Sequence, residues 1–187
     1  MGKGMNFHTT ELEGIILIEP EIHTDLRGHF LEIYNEKAFA KAGITERFVQ
    51  DNESQSGKGV LRGMHYQLGN PQGKLIRVLR GEIFDVAVDI RPGSKSFGRW
   101  VGFKLSGAER KMIWIPKGFA HGFYTLSETA NVAYKVTNFY DPGTERTLSW
   151  NDPDVGVRWP IQGEPILSDK DKAGHSLKAL SQASLQI

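Results

Sequence analysis

From Glu82 to Ile90 the chain sets Phe84, Val86, Val88 and Ile90 in alternation with Asp85, Ala87 and Asp89. A two-residue period puts the two sets on opposite faces of a strand, and the polar set predicts a strand buried on one side only. The neighbouring sequence repeats the signal. Lys74–Leu79 reads as the preceding strand, with Arg80 and Gly81 as a tight turn. Arg99–Leu105, Met112–Ile115, Gly122–Leu126 and Ala130–Thr137 continue the series, each bounded by Gly, Pro or Ser. Gly14–Pro20 and Phe30–Tyr34 add two short strands upstream. Many short strands with closely spaced turn signals predict an all-β sandwich or barrel, of which the jelly roll is one form. Helix is expected at Glu36–Ala42, closed by Gly43, and as a short capped turn at Leu167–Asp171. The last dozen residues suit either a docked helix or a frayed end, and Met1–Met5 reads as a disordered leader.

At 187 residues, with no linker, repeat or low-complexity block, the chain suits one domain around one core. A balance of 23 basic against 22 acidic residues argues against nucleic-acid binding, which draws on many uncompensated Lys and Arg contacts. Two or three local cations would still suffice for a small anion. With no cysteine there is no disulfide framework, thiolate nucleophile or cysteine metal site. No stretch has the apolar length of a membrane span, so no membrane partner is expected and the expected location is the cytoplasm.

GVLRGMHYQ, from Gly59 to Gln67, poses the chemical question. On the residues alone, His65 is open to three readings: metal ligand, catalytic base, or satisfied core histidine. Downstream, Pro116, Gly118 and His121 fit the P-x-G-x-x-H turn of cupins. In metal cupins that histidine joins an earlier H-x-H pair on one strand face. Here the pair is His65 and Gln67, and an amide is a poor ligand for zinc or iron. No metal site is therefore expected.

Taken together, GVLRGMHYQ, QGKLIRVLRGEIFDVAVDIRPGSKSFGRW, WIPKGFAHGF, AYKVTNFYDPGTE, WNDPD and LSDKD resemble the dTDP-4-dehydrorhamnose 3,5-epimerase family, in order from about Gly14 to Asp171. The resemblance implies a cupin-type jelly roll, a homodimer without metal or cofactor, and a nucleotide-linked 4-keto-6-deoxyhexose as substrate. Epimerisation beside a ketone needs a base on one face, a proton donor on the other, and a cation at the developing enolate oxygen. The resemblance assigns His65 as base, Asp171 as the carboxylate orienting it, Tyr134 as the returning acid and Lys74 as the cation. Arg62 matches a pyrophosphate ligand. It stands three residues before His65, and a bulge at Gly63 is expected to bring both side chains to the ligand. Arg27 and Lys170 match further phosphate or nucleotide contacts, with Phe30 near the base. Glu32, Gln50, Asn52, His121, Tyr140 and Glu145 match other substrate-binding positions. Some of these are expected to come from the partner subunit. Two departures stand out: a compact YQLGNPQG loop ahead of Lys74, and Phe139 where a tyrosine is common.

The expected reaction inverts C3 and C5 of dTDP-4-dehydro-6-deoxy-D-glucose, giving dTDP-4-dehydro-L-rhamnose. The alternatives are an epimerase acting at C3 or C5 alone on a related sugar, a metal-dependent cupin enzyme, and a non-catalytic sugar-binding cupin.

Overall fold

The computed structural model describes residues 4–182. In chain order it contains β1 (Met5–Thr9), β2 (Ile16–Pro20), β3 (Ile22–Asp25), β4 (Gly28–Leu31) and helix α1 (Glu36–Lys41). Next come β5 (Gln50–Gly57), β6 (Leu61–Gln67), β7 (Lys74–Arg80) and β8 (Glu82–Asp89). They are followed by β9 (Trp100–Ser106), β10 (Met112–Ile115), β11 (Phe119–Thr125), β12 (Thr129–Val136) and β13 (Glu145–Thr147). Short helices α2 (Asp169–Lys172) and α3 (Leu177–Gln182) come last.

Two antiparallel sheets account for most of these strands, one ordered β1-β2-β10-β7-β12-β5 and the other β13-β6-β11-β8-β9. Strands distant in sequence lie side by side, β2 beside β10 and β7 beside β12. That crossing pattern is the expected jelly roll. Between the sheets, Ile76, Val78, Ile113, Ile115 and Val132 of the first meet Ile83, Ala87, Leu105, Phe119 and Phe123 of the second. Each fully buried aliphatic or aromatic side chain here is worth about 1.5–3 kcal/mol.

Both outer faces are covered as well. On the first sheet, Ile18, Leu75, Met112 and Trp114 pack under Phe39 of α1 and Ile44. Asn35 caps α1, its side chain accepting from the Ala38 amide at 3.2 Å. On the second sheet, Met64, Tyr66, Val86, Val88, Ile90 and Ala120 lie beneath Leu148, Leu177 and Leu180. The C-terminal helix therefore docks through Leu177 and Leu180.

The double cover corrects the half-buried reading of β8. Its period is as expected, but Asp85 and Asp89 are as buried as their apolar neighbours. Their face looks into the sandwich, alongside Ile83 and Ala87, and not into water. The leader is corrected too: Met5 opens a strand that pairs with β2, because Met5 and Phe7 pack against the α1-side cluster. Met1–Lys3 of that expectation lie outside the described residues, as do residues 183–187 of the C-terminal one. β1, β3, β5 and β13 fall outside the expected strands, and of the expected Phe30–Tyr34 strand only Phe30 and Leu31 lie in one, at the end of β4; β5 is largely polar and β13 has three residues.

Candidate active site

At one end the sandwich is open, leaving a cleft of about 340 Å³ between β5, β7 and β12 on one wall and β6, β11 and β13 on the other. Strand period decides what lines it. On β6, Met64 and Tyr66 belong to the outer cluster, so His65 and Gln67 point inward. On β12, Val132 and Tyr134 share the inward face, and on β5 Gln50, Asn52 and Ser54 do the same.

Arg62 breaks the alternation as the bulge requires. Along β6 and β11, His121 pairs with His65 but Phe123 pairs with Arg62, so β6 carries one extra residue across that interval. Arg62 and His65 thereby face the same cleft. Gly63 makes this possible. Its φ is +115°, and a Cβ there would lie 2.5 Å from the Gly122 Cα. The guanidinium is pre-set, its Nε donating to Ser56 Oγ at 2.9 Å and NH2 donating to the Gln55 carbonyl at 3.1 Å.

His65 Nε2 lies 2.6 Å from Asp171 Oδ1, although the two residues are 106 apart in sequence. A carboxylate can only accept, so Nε2 carries a proton, and in the neutral ring Nδ1 is the nitrogen left with its lone pair. Asp171 is buried at the first turn of α2, where Ser168 Oγ accepts from its amide. Burial works to raise the Asp171 pKa, but the hydrogen bond from His65 and the charge that ring carries once protonated, with Ser168 and Lys170, hold it below the usual carboxylate value.

Lys74 is buried beside this pair, and its Nζ donates to the His65 carbonyl at 3.3 Å. Burial lowers its pKa to about 8, against the pull of Glu145 and Asp85. On the opposite wall, burial raises the pKa of Tyr134, so its phenol keeps its proton at neutral pH. Glu145 ties the mouth together. Its Oε2 accepts from Lys170 Nζ at 2.8 Å and from the Tyr140 hydroxyl at 2.9 Å, and its Oε1 sits 4.0 Å from His65 Nδ1. Burial works to raise the Glu145 pKa as well, but Lys170, His65 and Tyr140 keep it low.

The cleft thus gathers His65, Lys74, Tyr134, Arg62, Gln50, Asn52, His121, Tyr140, Glu145 and Lys170 from the expected set, with Asp171 behind His65. Arg27, Phe30 and Glu32 are not among its lining. Arg27 and Phe30 sit on the β3–β4 hairpin, where Arg27 forms an exposed ion pair with Asp25. Glu32 accepts from the Asn35 side chain just beyond the hairpin. Sequence reasoning misses Ser54, Gln72 and Asp85. The Gln50-Asp51-Asn52-Glu53-Ser54 alternation could have disclosed Ser54, whereas Asp85 announces itself only through the buried face of β8. Gln67 does not reach the cleft as a ligand. Its Nε2 donates to the Asn70 and Phe139 carbonyls and its Oε1 accepts from the Asp141 amide, which pins the loops at the mouth.

The family model described as dTDP-4-dehydrorhamnose 3,5-epimerase matches residues 9–179. The chain belongs to the dTDP-4-dehydrorhamnose 3,5-epimerase family. A relative from Neisseria gonorrhoeae bearing that name is 50% identical over 98% of this chain, which spans only 56% of that protein's length. One from Escherichia coli K12 is 47% identical over 97% of this chain and 99% of its own. Among solved structures, the Legionella pneumophila epimerase in complex with dTDP-4-keto-L-rhamnose superposes with a TM-score of 0.91 at 51% identity, covering 93% of each chain. Membership of the 3,5-epimerase family gives the cleft, with residues gathered from both sheets, its chemical context.

Proposed function

We propose that the chain is a dTDP-4-dehydrorhamnose 3,5-epimerase, acting on dTDP-4-dehydro-6-deoxy-D-glucose at C3 and C5. The observation that carries this is the placement of a base and an acid on opposite walls. His65 comes from the second sheet with Nδ1 bare, and Tyr134 from the first with its proton held.

In this reading Nδ1 of His65 removes the hydrogen from the carbon beside the ketone. Asp171 holds the ring and stabilises the imidazolium that results. The electron pair moves onto the ketone oxygen, where the ammonium of the buried Lys74 meets it. Tyr134 then delivers a proton to the opposite face, which inverts the centre. The chemistry is proton transfer throughout and asks for no cofactor. Arg62 and Lys170 receive the pyrophosphate, and Tyr140, half exposed at the rim, offers a ring face to the nucleotide base. Arg27, Phe30 and Glu32 act in trans, the hairpin of one protomer reaching the cleft of its partner. The exposure of every residue in β3 supports that arrangement. A homodimer in the cytoplasm belongs to the same proposal. Among the described residues no helix is long and apolar enough to cross a membrane.

The test is deuterium uptake in heavy water with dTDP-4-dehydro-6-deoxyglucose, read by proton NMR. Label at both C3 and C5 of an inverted product is expected. Label at one carbon only would reassign the chain to a narrower epimerase. Tight binding with no label at all would make it a sugar-binding protein.

A further inference from the structure

A second histidine–carboxylate pair stands beside the first. His121 and His65 are direct cross-strand partners on β11 and β6. Each has Nε2 on a buried aspartate: His65 on Asp171 at 2.6 Å, His121 on Asp85 at 2.9 Å. Asp85 is 0% exposed, and its other oxygen, Oδ1, has no hydrogen-bond partner. Among the described residues, His121 is therefore the one hydrogen-bonded group that accounts for a carboxyl in the sandwich interior. A buried carboxylate costs desolvation that one hydrogen bond from a neutral imidazole only partly offsets, and well-packed apolar side chains commonly do as well or better. A fold needing only to fill this space has no use for Asp85.

The needs of a sugar in this cleft supply a use. Its hydroxyl hydrogens, once out of water, require acceptors. The cleft is rich in donors: Arg62, Lys74, Lys170 and the Tyr134 hydroxyl all line it. Its acceptors are scarcer. His65 Nδ1 is required for the carbon-bound hydrogen, and Glu145 Oε2 already serves Lys170 and Tyr140, which leaves Glu145 Oε1 and the oxygens of Ser54 and Gln72 beside His121. We propose that Asp85 is a positioning residue: it accepts the Nε2 proton of His121 and so presents His121 Nδ1 to the cleft as a lone-pair acceptor for a sugar hydroxyl. The identity of the hydroxyl rests on the epimerase reading; the tautomer does not. Burial, with Lys74 and His65 nearby, disfavours the charged ring, and only Asp85 favours it, so the neutral form is the one on offer.

The experiment is nitrogen-15 NMR of the histidine rings in the free protein at neutral pH, with His121 assigned through a His121→Asn variant. Nε2 of His121 should be protonated and Nδ1 bare. In Asp85→Leu, which cannot accept, the ring should populate both tautomers. At a pH low enough to keep Lys74 charged without the pull of Asp85, KM should rise about three- to tenfold, as for one hydrogen bond, with kcat within about twofold because base and acid are untouched. A merely structural Asp85 would lower stability and kcat without moving KM selectively. A wild-type ring protonated at Nδ1 overturns the proposal, and that spectrum needs no variant to fold. A wild type that shows the expected tautomer yet never exchanges a sugar hydrogen overturns the epimerase reading and leaves the Asp85–His121 assignment standing.

Discussion

The cleft and the β3–β4 hairpin both carry residues that the sequence blocks mark for the substrate, but the fold holds them in opposite ways. In the cleft, side chains are braced before any ligand arrives. Asp171 holds the His65 ring, Ser56 and Gln55 hold the Arg62 guanidinium, and Lys170 and Tyr140 hold the Glu145 carboxylate. Their strands are sealed on both faces by apolar clusters. The hairpin has no such seal. Among the described residues its two strands pair only with each other, Phe30 is 70% exposed, and Leu26 at the turn projects entirely into solvent. Isolated hairpins are marginal in water, and in the proposed reading this one takes its working order from the partner subunit. Proton transfer tolerates little misplacement and is built on the rigid part. Under the proposal, gripping the nucleotide is left to the hairpin.

If that division holds, the largest losses come from the braced wall. His65→Ala should lower turnover by roughly 10²–10⁴-fold and abolish deuterium uptake at both carbons. Persistent exchange in that variant would move the base elsewhere. Tyr134→Phe should affect the second half-reaction by about 10²-fold. Label would still wash into the substrate, since His65 can remove and return the same hydrogen, but inverted product would form slowly. Equal loss of washout and inversion would show that Tyr134 serves something other than reprotonation.

The hairpin should answer differently. Phe30→Ala is expected to leave the thermal midpoint unchanged, because the ring is exposed and touches little beyond a 6.4 Å stacking contact with His23. KM should rise about tenfold, the scale expected when a large aromatic ring no longer packs on its ligand, and kcat should stay close to wild type. Mixing this variant with a His65→Ala protein supplies the sharper test. If the hairpin works in trans, mixed dimers pair an intact cleft with an intact hairpin and recover activity at low substrate. No recovery on mixing would confine each hairpin to its own chain.

The same contrast explains what can be read from the sequence without the structure. Alternation on β8, β12 and β7 discloses the sandwich because apolar periodicity is a local property of the chain. The bulge at Gly63 is legible because Arg62 and His65 cannot otherwise share a face. β5 is not: its inward set, Gln50, Asn52, Ser54 and Ser56, is polar because it lines a cleft, and a polar strand lacks the apolar signal. Asp85 reads as solvent-facing because period gives the two faces of a strand without saying what covers them. The His65–Asp171 contact spans 106 positions, and only the whole-block resemblance points to it. No property of the hairpin's own residues says which chain it serves.

The smallest effect is also the one that best separates the two regions, since it depends on burial alone. Arg27 on the hairpin is solvent-exposed, and its hydrogen bond to Asp25 raises its pKa further, so it stays charged at any working pH. Lys74 in the cleft is pulled the other way, to about 8. As pH rises through about 8 the enolate loses its cation, and kcat should fall to about half there and continue downward. Stability must move in the opposite sense. Between about 8 and 10.5 the unfolded chain holds the lysine proton more tightly than the folded one, so this group's contribution to stability rises with pH across that window. An alkaline fall in kcat with an undiminished thermal midpoint would therefore report titration of Lys74. In Lys74→Arg, whose charge persists, the alkaline limb should vanish even if the longer side chain lowers the rate throughout. A limb unchanged in that variant would assign the titration to another group and remove Lys74 from the enolate site.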